Sequence, residues 1–475
     1  MAAPYDAVVV GSGPNGLAAA ITLAERGLSV HVVEAADEIG GGCRTAELTL
    51  PGFHHDFCAA VLAFGMASPF FAAFDPAARG VEFVFPPAAL AHPLESGDAV
   101  LLEQSVDDTA AHLGEDGARY RRIFGPLTRH APQLLEQFLG PLRLPRHPLV
   151  VGAFGIPALL PATAFARIAY RGERARALFA GVAAHSMLSL DSPASASMGL
   201  MLNLVGHAAG WPVVSGGTAN VARALANRLA DLGGTLETGR RVTSLAELPT
   251  SRLRLLDLVP RDVERICAEE LPQRYRRRLR RYRYGPGVFK VDWALDGPVP
   301  WLDERCARAA TVHVGGGFAE IVASEAAVAA GHHAQRPFVI LAQPSLFDPT
   351  RAPAGRQTLW GYCHVPNGSR RDMTAVIEAQ VERFAPGFRD RIIGRHTMDT
   401  AALEAHNANN VGGDINGGMF SLGQLFARPA PRISPYTTPN PGIFICGAAT
   451  PPGGGVHGMC GWWAAHAALR SLERR

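Results

Sequence analysis

The sequence predicts an α/β protein, a Rossmann-type nucleotide domain carrying an inserted α+β domain. Three observations predict it. Near the N-terminus an apolar run enters a glycine-rich turn, followed by a helical stretch and a second apolar run that ends in an acid. At the other end of the chain lie a late apolar strand, another glycine-rich turn and a helix. The 475 residues between and including these ends, 48% hydrophobic and 18% charged, suffice for two core-forming units.

The first stretch is "YDAVVVGSGPNGLAAAITLAERGLSVHVVE", Tyr5 to Glu34. Ala7 to Val10 has the β-branched, uninterrupted apolarity of a buried parallel strand. Gly11, Gly13 and Gly16 then give G-x-G-x-x-G. Gly11 permits the tight turn, Gly13 lets the backbone approach a pyrophosphate, and Gly16 lets helix and strand pack closely. Pro14 and Asn15 open a helix whose N-terminal amides and dipole favour phosphate, and Gly27 suits its end. Glu34 closes the second strand, placed to accept from both ribose hydroxyls and to repel a 2′-phosphate.

A second glycine cluster follows in "EAADEIGGGCRT", Glu34 to Thr45. The late stretch is "PGIFICGAATPPGGGVHGMCGWW", in which Ile443 to Cys446 reads as a strand, Gly447 and Pro451 to Gly455 as turns, and His457 as the start of a helix. Together these motifs resemble FAD proteins of the phytoene desaturase and flavin amine oxidase superfamily. The resemblance runs along the whole chain, and the C-terminus is similar to that of phytoene dehydrogenase-like oxidoreductases. It implies a nucleotide domain of the glutathione reductase or amine oxidase type holding FAD without a covalent bond. Ala35, Gly41, Gly42 and Arg44 would wrap the diphosphate, where an arginine fork suits a phosphate. Gly447, Val456, His457 and Met459 would close over the isoalloxazine, and Val242, on a strand within Thr238–Leu245, would meet the adenine through its backbone. The family often has an acid after the glycine of the last strand; here Ala448 and Ala449 follow, which puts that ribityl or phosphate contact in doubt.

Contacts near Gly11, Val242 and His457 imply a discontinuous nucleotide domain at about 1–75, 205–285 and 425–475. The insertions, about 76–204 and 286–424, would form the substrate domain, with a mixed sheet from the second covered by helices from the first.

Lys290 is the only lysine; the other 44 strongly basic side chains are arginine. It lies in "YGPGVFKVDWALDGPVPW", Tyr284 to Trp301. Period-two alternation puts Val288, Lys290, Asp292 and Ala294 on one face of a strand, and the greasier Phe289, Val291, Trp293 and Leu295 on the other. The stretch is similar to the amine oxidase pattern in which such a lysine orders a water at flavin N5, so the resemblance makes Lys290 the catalytic candidate. A plain structural Lys290–Asp292 pair is the competing reading. Tyr362, His364, Asn407, Asn410 and Asp414 are candidates to line the cavity.

The expected activity is hydride transfer from an apolar substrate to flavin N5, a C–C desaturation reoxidised by oxygen or a quinone, since no second nucleotide fold is visible. Flavin amine oxidation, reduced-flavin isomerisation or saturation of polyenes, and a FAD-stabilised non-catalytic assembly role are the alternatives. The net charge of +3 and the lack of a basic tract with interleaved aromatics argue against nucleic acid. Seven scattered cysteines without C-x-x-C, and an N-terminus without a signal-like h-region, suggest a reduced, cytoplasmic protein. No metal-ligand spacing stands out. "PLVVGAFGIPALLPATAFA", Pro148 to Ala166, is uncharged but broken by proline and glycine; buried short helices are expected, with peripheral membrane contact left open. Glu270 to Tyr284 reads as an amphipathic helix with a basic face.

Overall fold

The computed structural model describes residues 4–473. Tyr5–Val10 pairs in parallel with Val30–Val33 on one side and Ser251–Leu256 on the other. Thr235–Glu237 and Ile443–Ile445 complete a five-stranded, all-parallel sheet at its two edges. Its central strand ends in the buried run Ala7–Val10, and Val30–Val33 beside it is buried throughout.

The glycines of the first turn are set by close approach. Gly11 has φ +104, a conformation L side chains avoid. A Cβ at Gly16 would lie 2.0 Å from the Gly11 carbonyl oxygen, so helix Pro14–Ala24 can start this near the strand only with glycine there. Gly461 plays the same part for helix Met459–Glu473, where a Cβ would come within 1.7 Å of the Asn15 carbonyl oxygen.

A second, seven-stranded sheet runs in the order Ile392–Met398, Gly287–Leu295, Gln357–Val365, Val339–Ala342, Ala309–Val314, Ala88–Pro93 and Ala99–Glu103. Its neighbours are antiparallel except Ala309–Val314 with Ala88–Pro93. The greasy face of Gly287–Leu295 packs Val291, Trp293 and Leu295 against Ile377 and Val381 of helix Thr374–Glu382. The other face carries Lys290 and Asp292, as alternation requires.

Two expectations change here. Thr238–Leu245 is not a strand: the ladder ends at Glu237, because Gly239 has φ +71 and the chain turns so that the Gly239 and Arg240 N–H groups donate to Ala36 and Glu34 carbonyls. The Pro148–Ala166 stretch does form short helices, Pro148–Ala158 and Ala162–Ala169, bent by 108°, and neither could cross a membrane alone. It is buried on one side only: Phe154, Ala158, Phe165 and Ala166 are buried as expected, whereas Leu149 and Ile156 are 88% and 73% exposed. By contrast the Gln273–Arg280 helix buries Tyr275 and Leu279, while Arg276 and Arg280 pair with Glu264.

Candidate cofactor and substrate cavity

A cavity of about 550 Å³ opens where the parallel strands end and reaches the seven-stranded sheet. Gly11, Gly13, Pro14, Asn15, Glu34, Ala35, Gly41, Gly42, Arg44, Val242, Gly447 and Val456 all line it. The motifs from the chain's two ends and its middle therefore converge on one space. Gly16 packs beneath the turn instead.

The nucleotide end is built from backbone and charged side chains, three of which, Glu34, Arg44 and Asp257, tie its turns together. A Cβ at Gly41 would lie 3.0 Å from the Gly13 Cα, so the two glycine turns abut with nothing between them. Glu34 is held by the Ser12 N–H at 2.8 Å, the Ser12 hydroxyl at 2.7 Å and the Ala36 N–H at 2.9 Å. Arg44 donates to the Glu38 carbonyl at 2.7 Å and stands 3.6 Å from Glu34, which ties the second glycine turn to the strand-end acid.

The third charged group, Asp257, follows strand Ser251–Leu256 and was not singled out from the sequence. Its Oδ2 accepts the Gly16 N–H at 2.9 Å. Burial pushes its carboxyl up to about 7, against the Gly16 hydrogen bond and with help from the negative charge of Glu34. A signal did exist: "LRLLD" ends in an acid as "VHVVE" does.

Two residues expected to touch the cofactor do not reach the cavity. Met459 is buried in the core at the start of its helix. The His457 ring turns back so that its Nδ1 accepts the Met459 N–H at 3.0 Å, and burial lowers it to about 4.

The far end is apolar. Leu62, Phe64, Leu202, Trp211, Ile340 and Trp360 are among its walls. Tyr362 also lines it and stacks on Trp360, with centroids 5.7 Å apart and planes at 19°. The indole N–H groups of Trp211 and Trp360 have no acceptor among the described residues. His185, missed by sequence reading, lines the cavity and meets His313 Nε2 to Nε2 at 2.9 Å; burial, then the charge of His364, lowers it to about 3. Burial also pushes the Tyr362 hydroxyl and the Cys58 thiol up. These groups are therefore neutral at neutral pH, and among the described residues no carboxylate lines this end.

Asn407 and Asn410 line the cavity as expected, but His364 and Asp414 do not. His364 shares a strand face with Tyr362, yet lies one step further along, where Glu325 on helix Phe318–Ala329 captures its Nδ1 at 2.8 Å. Asp414 accepts from the Gly285 and Asn416 N–H groups and serves its own loop.

Lys290 lies behind the wall rather than on it. It is 2% exposed and its ammonium is bonded to both oxygens of Asp292, 5.5 Å from the Trp360 ring centroid. His55 Nδ1 and His396 Nδ1 stand 3.6 Å and 3.4 Å from the same carboxylate. Burial would raise the Asp292 carboxyl; Lys290 and both imidazoles outweigh it and hold it below the ordinary range. The Lys290–Asp292 pair, the competing reading of this strand, is formed, and Lys290 is not among the residues that line the cavity.

A parallel-stranded, Rossmann-like domain opening onto a mixed seven-stranded sheet is a fold of the flavin amine oxidase type. A profile for the NAD(P)-binding Rossmann-like domain matches residues 9–75. The chain is homologous along its length to rat pyridine nucleotide-disulfide oxidoreductase domain-containing protein 2, 25% identical over 99% of this chain and 94% of the relative. An oxidoreductase from Methanosarcina mazei shares the fold with a TM-score of 0.67 at 15% identity, covering 98% of this chain and 99% of that one. Putrescine oxidase bound to putrescine does so with a TM-score of 0.62 at 18% identity, covering 99% and 98%. The full-length relative and the first of these structures are named as oxidoreductases, and the matched profile is that of a dinucleotide-binding domain.

Proposed function

We propose that this protein is a FAD-dependent oxidoreductase that dehydrogenates an uncharged, apolar substrate, with oxygen or a quinone as final acceptor. The residues present fit the cofactor. Gly13 and Gly41 abut at the mouth of the cavity and leave backbone alone to face a pyrophosphate, Glu34 is oriented for a ribose, and both indole donors at the far end lack partners among the described residues. When bound, the group supplies a two-electron acceptor that takes hydride from a C–H bond at N5.

The chain's own residues bind, orient and exclude water. Leu62, Phe64, Leu202 and Ile340 desolvate the substrate, while Trp360 and Tyr362 give it a flat wall. Lys290, fixed by Asp292, holds a positive charge behind Trp360 and acts as a positioning residue through that ring.

The single observation that carries the substrate class is the far end's lack of charge: neutral His185, Tyr362 and Cys58, and among the described residues no carboxylate there to receive an ammonium. That favours C–C desaturation over oxidation of a charged amine. Anaerobic mixing of the holoprotein with polyenes and with alkylamines tests this. Bleaching of the flavin by polyenes alone is expected; bleaching by amines alone would contradict it. Prompt bleaching by NADPH would instead support the saturase or isomerase reading.

We also propose that the bent helix pair rests on a lipid surface. Leu144, Leu149, Ile156 and Ile168 are exposed there beside Arg146 and Arg167. Helix Pro148–Ala158 packs on Ala196–Ala208, whose Met198 and Leu202 line the cavity, which suits delivery of an apolar substrate. Co-sedimentation with anionic vesicles is expected, and protein that stays in the supernatant at low salt would contradict it.

A further inference from the structure

The last parallel strand runs into Gly447, Ala448 and Ala449, which offer no polar side chain, and the Thr450 hydroxyl that follows donates to the Gly447 carbonyl at 2.8 Å. The neighbouring strand does carry one to the same place. Leu256 is in register with Ile445, and the next residue is Asp257. Its carboxylate sits between two glycine turns: a Cβ at Gly13 would lie 2.9 Å from Oδ2, and a Cβ at Gly447 would lie 3.0 Å from Oδ1. Oδ2 is used by the Gly16 N–H. Among the described residues Oδ1 has no donor, although Asp257 is only 7% exposed and lines the cavity. No arginine, lysine or histidine pairs with it among those residues.

We propose that Asp257 holds the ribityl chain of the bound flavin, taking over from the adjacent strand the part of the acid that Ala448 does not supply; this rests on the FAD reading above. One oxygen secures the helix-start amide of Gly16 and the other is left free for a ribityl hydroxyl on the Gly447 side. A substituent on Gly447 would close that position, which gives this glycine a reason beyond its turn.

The charge state follows from the surroundings. Glu34 is the ionised neighbour, and burial keeps the thiols of Cys446 and Cys460 neutral. The Asp257 carboxyl is already raised to about 7 before two phosphate charges arrive. Bound flavin therefore favours the protonated acid, which donates to a ribityl oxygen while still accepting from Gly16. Binding takes up a proton above the carboxyl's free value. The sign is that FAD affinity is flat below about pH 7 and falls as pH rises above it, by up to roughly tenfold per unit.

The test is titration of the deflavinated full chain with FAD and with ADP, which has the adenosine diphosphate but no ribityl chain. Asp257→Ala is expected to weaken FAD by roughly 10- to 100-fold and ADP by less than about threefold. Asp257→Asn keeps an acceptor for Gly16, so it is expected to bind FAD with an affinity that no longer varies with pH. Equal weakening of FAD and ADP by Asp257→Ala would overturn the proposal, because Asp257 would then only support the loop. So would FAD affinity in Asp257→Asn that varies with pH as in the parent. A parent protein that binds ADP but no FAD would remove the cofactor reading itself, a result distinguishable from either.

Discussion

The two ends of the cavity are made differently. The nucleotide end is defined by backbone: Gly11 and Gly41 take positive φ, and a Cβ at Gly16 would meet the Gly11 carbonyl oxygen at 2.0 Å. The substrate end is defined by side chains from separate segments, with Trp360 and Tyr362 on one strand, Ile340 on its neighbour and His185 at the end of helix Glu173–Ala184. Backbone requirements leave local marks in a sequence, whereas side-chain walls depend on which strands become neighbours. The same difference predicts how each end fails.

The largest effect is expected at the backbone end. Gly16→Val would drive a side chain into the Gly11 carbonyl, abolish FAD binding and cost about 3 kcal/mol of stability, readable by thermal melting. Normal flavin content in this variant would break the comparison. Next is the buried pair behind the wall. Lys290→Met leaves the Asp292 carboxylate buried without its cation and is expected to cost about 3 kcal/mol in denaturant unfolding. Adding Asp292→Leu should restore most of that loss. If the double variant is as unstable as the single one, Lys290 has another partner. If stability returns with flavin bound but reduction stays slow, its charge serves turnover.

At the side-chain end the effects separate from cofactor binding. Trp360→Leu is expected to slow substrate bleaching of the flavin about tenfold and to change FAD affinity less than about twofold. Parallel loss of both would join the two ends that the geometry keeps apart. The smallest effect on the fold is expected at the exposed corner. Leu149→Glu with Ile156→Glu should abolish vesicle co-sedimentation while moving stability by no more than about 0.5 kcal/mol.

This division explains what could be read in advance. The first glycine turn and Glu34 were legible because spacing along one chain segment sets their geometry, whereas Arg44 was carried by the family resemblance, and the structure turns it onto the Glu38 carbonyl and Glu34. The alternation of the Lys290 strand gave its faces, and with them the Asp292 partner. Alternation says which face a residue takes but not what it meets, so His364 was placed with Tyr362 although Glu325 captures it. Val242 was placed on a strand that Gly239 ends early, yet it still reaches the cavity. Asp257 carried a local sign, an acid closing an apolar run. It is separated from Gly16 by 241 positions, and no spacing rule spans that distance. The Pro148–Ala166 stretch shows the limit of composition: apolarity was plain, but what covers it was not.

The most direct test of the account is the visible spectrum of the purified full chain after reconstitution with FAD, followed by denaturation and filtration. The account predicts a flavin band shifted from that of free FAD, and stoichiometric release of FAD into the filtrate. A chain that remains folded by circular dichroism and shows no bound flavin after reconstitution would contradict it.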